Sequence, residues 1–109
     1  MTRVTLAEFR SGRCRLRAVG EFDRDCCDQF EAATRVALAC YCREIVVDLA
    51  EVTFVDAATV GALLACHESA ATHGCDLWIV NDSGVAARVL EISGARHRLL
   101  SPSSPAGQQ

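Results

Sequence analysis

The chain has 109 residues, enough for one compact domain and too few for two. Half of the residues are hydrophobic and 23% are charged, the balance of a globular domain. Net charge is −3 and the 11 basic residues, all arginine, are spread along the chain, which argues against a nucleic-acid-binding face built from clustered cations.

Val4 to Phe9 and Arg13 to Val19 read as strands joined by the Ser11-Gly12 turn. In the second, Cys14, Leu16 and Ala18 alternate with Arg13, Arg15 and Arg17, which gives one buried face and one wet face. A helix follows from Arg24 to Ala39, with Phe30, Ala33, Ala37 and Tyr41 on one stripe. Ile45 to Leu49 is apolar apart from Asp48, the pattern of a central strand. A short link leads to Asp56, whose carboxylate suits the orphan N–H groups of a helix first turn. That helix runs to about Thr72, with Gly74 as its left-handed stop and a core stripe at Val60, Leu64, His67 and Ala71. Leu77 to Val80 is a further buried strand, and Asn81-Asp82-Ser83-Gly84 a turn and cap. Val85, Val89 and Ile92 line a third helix, stopped by Gly94. The tail after Leu100, SPSSPAGQQ, is polar and proline-containing and is expected to be disordered from 101 to 109. The fold class is therefore α/β: one domain over residues 1–100, order β-β-α-β-α-β-α, with a mixed sheet covered by helices mainly on one side.

The N-terminal MTRVTLAEFR holds no apolar run of signal-peptide length, and no stretch approaches the roughly 20 apolar residues of a membrane span. A cytoplasmic location is expected, with no membrane contact. Seven cysteines are then thiols rather than a disulfide framework, and their odd number leaves at least one free in any case.

Residues Ile45 to Leu64, IVVDLAEVTFVDAATVGALL, resemble the signature of STAS domains, the family of bacterial anti-sigma factor antagonists. Gly20-Glu21-Phe22-Asp23 resembles the family's Gly-Glu-Leu-Asp turn before the first helix. Val47-Asp48-Leu49, Val52, Phe54 and Asp56 resemble its central strand and switch approach. Gly61, Leu63 and Leu64, then Gly74 and Leu77, and finally Val89-Leu90 and Ser93-Gly94 continue the match. The resemblance implies an STAS-like fold and a module that binds an anti-sigma factor, often a serine kinase, and so frees a sigma factor. In the family two serines and a glycine follow the aspartate, and the first serine is the phosphorylation switch. Here Ala57, Ala58 and Thr59 occupy those positions, so Ala57 is a degenerate phosphosite. A phosphate would add about two negative charges to a binding face, and alanine has no oxygen to carry it. The expectation is an antagonist that is constitutive or regulated in another way, including through a thiol. The chain also stops soon after Gly94, where many relatives continue. Arg96 to Leu100 is read as a short last strand, and the last helix as absent.

The partner-binding residues the resemblance implies are Asp23, Asp56, Ala57, Ala58, Thr59 and Ala62. Asp56 reads as a cap that also touches the partner. Asp23 reads equally as a cap for the first helix and as the family's loop aspartate near the switch. Thr59 reads as a first-turn residue, or as a displaced phosphosite. Cys14, Cys26 and Cys75 read as small buried hydrophobes. Cys66 shares a stripe with Thr59, Ala62 and Ser69, away from the core stripe and beside the expected contact, which makes it the candidate redox thiol. Cys66, His67, His73 and Cys75 match no closed zinc site, so neither metal nor cofactor is expected. His97 reads as a surface residue.

No nucleophile with an oriented base is evident. Cys66 and His67 are adjacent on a helix and do not face each other. No phosphate-cradling glycine loop is present. The chain is read as a binding module and not as an enzyme, a monomer or weak homodimer. The alternative is an accessory STAS subunit of another assembly such as a lipid-transport system.

Overall fold

The computed structural model describes residues 3–82 and 84–100. Ser83, the side chain of Val85 and the tail at 101–109 lie outside the described residues. The elements are β1 (Arg3–Arg10), β2 (Arg13–Phe22), α1 (Arg24–Ala39), β3 (Glu44–Val55), α2 (Ala57–Thr72), β4 (Asp76–Val80), α3 (Gly84–Ile92) and α4 (Arg96–Leu99). The four strands form one sheet in the order β1-β2-β3-β4. β1 pairs antiparallel with β2, while β2, β3 and β4 are mutually parallel neighbours, so the sheet is mixed as expected.

The opening hairpin is fixed by its turn. Ser11 and Gly12 both have positive φ, 53° and 82°, the geometry whose twist suits a two-residue hairpin loop. Cys14, Leu16 and Ala18 of β2 are buried with Ile45, Val47 and Leu49 of β3 and Leu77 and Ile79 of β4 in a single apolar cluster. The opposite face carries Arg13, Arg15 and Arg17. Each reaches a carboxylate of β3: Glu44 for Arg13, Asp48 at 2.8 Å for Arg15, and Asp48 and Glu51 at 4.0 Å for Arg17. Asp48 is therefore buried but satisfied, also accepting from the Ala50 N–H at 2.9 Å and the Asn81 amide at 3.2 Å.

α1 packs Phe30, Ala37, Cys26, Cys27 and Thr34 inward, with the Phe30 ring edge-on to Phe22 at 5.9 Å between centroids. Tyr41 departs from the expected stripe: it lies past the helix end with φ of 60° and is 88% exposed. A left-handed residue after a helix redirects the chain, so the helical spacing no longer applies there.

Three further expectations are corrected. β3 continues unbroken to Val55, where a link before Asp56 was expected, because β2 keeps pairing with it as far as Phe22 opposite Val55. In α2 the buried residues are Thr59, Val60, Leu63, Cys66, His67 and Ala70, whereas Leu64 and Ala71 are only half-buried. That helix is apolar nearly all round, and it is covered by α1 on one flank and by β4 and α4 on another, so packing and not periodicity selects its buried side. Residues 96–99 form the helical turn α4 where a strand was expected. Ala95 and Leu99, four apart, are both buried, which a helix permits on one face. The Arg96 guanidinium anchors the turn to Asp82 at 2.7 Å. In α3, Ala86 and Leu90 are buried and Val89 packs against the core, but Ile92 is 79% exposed at the helix end.

Candidate partner-binding site

Two neighbouring parallel strands end side by side and each is followed at once by a helix. Phe22 of β2 pairs with Val55 of β3, so the next residues, Asp23 and Asp56, stand at the same end of the sheet. Both are helix N-caps. The Asp23 carboxylate accepts the Cys26 N–H at 3.1 Å, and the Asp56 carboxylate accepts the Thr59 N–H at 2.9 Å. The carboxyl ends of parallel strands are where open α/β sheets present their sites.

The turn at Asp56 is a reciprocal capping box. The Thr59 hydroxyl accepts the Asp56 N–H at 3.1 Å and donates to the Asp56 carbonyl at 2.8 Å. Thr59 is 2% exposed, so its hydroxyl is turned into the structure. This box pins the backbone and leaves the next side chains outside: Asp56, Ala57, Ala58 and Gly61 are exposed, and Ala62 is half-buried. A Cβ added at Gly61 would meet no atom within 4 Å, so this helix face is open. At the end of β3, Thr53 and Phe54 are exposed, Phe54 by 42%, while Val55 turns inward. Phe54 and Gly61 entered the sequence reading only as matched positions. Phe54 alternating with buried Val55 at a strand end was the signal for an outward aromatic.

Half-buried Asp23 therefore stands at the same end of the sheet as the exposed Asp56, Ala57, Ala58 and Gly61, each aspartate at the start of its own helix. Cys66 does not join them. It is 6% exposed, and burial first, then the charge of Glu31, pushes its thiol up to about 11. A reactive cysteine needs the reverse, an accessible site that favours thiolate. Cys14, Cys26 and Cys75 are buried, as expected, and burial raises them to about 11, 12 and 12. Of the seven free cysteines only Cys40 is exposed. His67 is buried, His73 takes its ring Nδ1 to the Ser69 carbonyl at 2.9 Å, and His97 is exposed. Among the described residues no group of three or more His, Cys, Asp or Glu side chains is placed to hold a metal ion. Among the described residues no helix is long and apolar enough to cross a membrane.

The mixed sheet with its two capped helix starts is the architecture of a small α/β domain. Residues 6–101 match the family model described as "Mlab, STAS domain", and the chain belongs to that family. Among solved structures it is similar to the anti-sigma factor antagonist SpoIIAA in its unphosphorylated form, with TM-score 0.74, 17% identity, and 99% of this chain and 92% of that chain covered. An anti-sigma factor antagonist from Mycobacterium paratuberculosis gives TM-score 0.73 at 21% identity over 91% of this chain and 81% of that one. The phosphorylated form of SpoIIAA, a Bacillus cell fate determinant, gives 0.67 at 16% identity over 99% and 96%. These likenesses show the fold. No curated protein matches the chain in sequence.

Proposed function

We propose that the protein is an anti-sigma factor antagonist: it binds an anti-sigma factor through the start of α2 and the adjoining Asp23 turn, and so releases a sigma factor for transcription. The observation that carries this reading is the capped turn at Asp56, which holds Ala57 and Ala58 on the surface in a fold shared with two solved antagonists. The contact is a protein–protein one and involves no catalysis. In this reading position 57 carries no phosphorylation switch, because it is alanine, and Thr59 does not replace it, because its hydroxyl is spent inside the capping box. Binding is then constitutive with respect to this turn. Thiol control through Cys66 has both burial and a raised pKa against it.

The test is calorimetry of Ala57→Asp against the purified anti-sigma factor. A carboxylate at this exposed first-turn position suits the helix N-terminus and leaves the fold intact, yet it opposes desolvation in an interface. Unchanged affinity would show that the turn is not the contact. A second reading, an accessory STAS subunit of another assembly such as a lipid-transport system, is favoured by the missing hydroxyl itself, since a subunit that only holds a complex together needs no switch.

A further inference from the structure

β1 is an edge strand, and the two halves of its edge are treated differently. Near its start the Val4 N–H is taken by the Gln29 side chain of α1 at 2.9 Å, which blocks that half from further pairing. Among the described residues the second half has no such cover. Arg10 and Arg13 flank the two-residue turn, and in such hairpins the flanking pair is hydrogen-bonded. Phe9, the next residue, opposite Cys14, therefore aims its N–H and C=O away from β2, at the free edge.

The side chains around Phe9 are as unusual as its backbone. Phe9 is 48% exposed and Leu6 54%, and with Val36 of α1, 62% exposed, they rim an apolar groove of about 340 Å³ floored by Leu16 and Ala37. On the other face of the strand stand Glu8 and Arg10. Among the described residues neither takes part in an ion pair, whereas the arginines of β2 beside them are all paired.

We propose that the open half of β1 is a homodimer interface in which a second copy adds its own β1 antiparallel, with the two-fold axis at Phe9. Antiparallel pairing about Phe9 places Glu8 of each copy opposite Arg10 of the other, so both unpartnered charges gain a cross-strand partner of opposite sign. It also sets Phe9 against Phe9 on the helix side, beside the two apolar grooves. Pairing centred between Leu6 and Ala7 instead puts Arg3 opposite Arg10, like against like, and needs the edge that Gln29 occupies. Isologous contacts of this kind require a self-complementary patch, and Glu8-Phe9-Arg10 is one. Arg10 lies level with Glu44 at the start of β3, whereas Asp56 follows the end of β3. The dimer therefore leaves both Asp56 turns open, and the proposal stands independently of the partner that binds there.

The test is sedimentation equilibrium of the full chain from low micromolar to near-millimolar concentration. The weight-average mass is expected to rise reversibly from 11.7 kDa toward twice that value, and less so in high salt. Glu8→Arg alone and Arg10→Glu alone each place like charges across the axis, and each is expected to stay monomeric while keeping the wild-type circular dichroism spectrum. An equimolar mixture of these two variants restores opposite charges at both positions and is expected to form a heterodimer. A wild-type chain that is monomeric throughout overturns the proposal. So does a dimer that both single variants retain, or a mixture that fails to associate.

Discussion

The capping box at the start of α2 can be taken apart one bond at a time. Asp56→Ala removes the acceptor for the Thr59 N–H at 2.9 Å. Loss of an N-cap carboxylate costs about 1 kcal/mol. Thr59→Val keeps the buried volume but removes the hydroxyl that joins both the N–H and the carbonyl of Asp56, at 3.1 and 2.8 Å. Because Asp56 is exposed, water replaces part of what its N–H loses, so the cost stays about 1 kcal/mol and does not reach the penalty of a sealed orphan. The three bonds form one closed box, so after either substitution what remains is worth less, and the double variant is expected to lose at least about 0.5 kcal/mol less than the sum of the singles. Urea denaturation measures all three stabilities, and each single loss should also lower Tm by about 4 °C in a domain of this size. A cost below about 0.3 kcal/mol for Asp56→Ala, or strict additivity in the cycle, would refute the box and with it the reason Ala57 is held outward.

Three more outcomes follow from burial and charge. In the native state one thiol, Cys40, should react fast with a maleimide at pH 8 while the other six wait for unfolding, and mass spectrometry that found Cys66 labelled first would contradict its burial. Cys14, Cys26, Cys27, Cys66 and Cys75 rise from 9.0 to between about 11 and about 12, so their contribution to stability is complete below about pH 9 and drains away as pH climbs through 11 and 12. Denaturation midpoints that stay level from pH 8 to 11 would count against buried neutral thiols. For Asp48, burial works to raise the carboxyl, but the Ala50 N–H, Arg15 and Asn81 outweigh it and hold it below 3.8, so its stabilisation is present above that value and fades in more acid solution. Asp48→Asn should cost about 1–3 kcal/mol at pH 7 and flatten the acid limb of the stability curve, and an unchanged limb would place the acid sensitivity elsewhere.

Much of this organisation is legible in the sequence where one short-range rule decides. The Ser11-Gly12 turn, the Asp23 and Asp56 caps, the Gly74 stop (φ 69°) and the two-residue alternation of β2 each depend on a few neighbouring residues, and each is found where the residues put it. Cys66 shows the limit. α2 is apolar on nearly every side, so its sequence has no dominant stripe, and the choice between burying Cys66 and burying Leu64 is made by packing against α1, whose Glu31, Thr34 and Arg35 lie beside Cys66 but far from it in the chain. α4 is a similar case: Arg96 to Leu99 has no strong local preference, and a helical turn wins because it buries Leu99 and brings Arg96 to Asp82. In the site, the pairing of Phe22 with Val55 that sets Asp23 beside Asp56 is a long-range register. The resemblance implied that both aspartates belong to one surface, but no spacing in the chain does.

The most direct measurement of the central claim is affinity capture from the native host's lysate with the wild-type chain and with Ala57→Asp side by side, partners being identified by mass spectrometry. An anti-sigma factor held by the wild type and lost from Ala57→Asp is the predicted result. An anti-sigma factor held equally by both would remove the α2 turn from the interface. Transporter subunits in place of any anti-sigma factor would contradict the antagonist function itself.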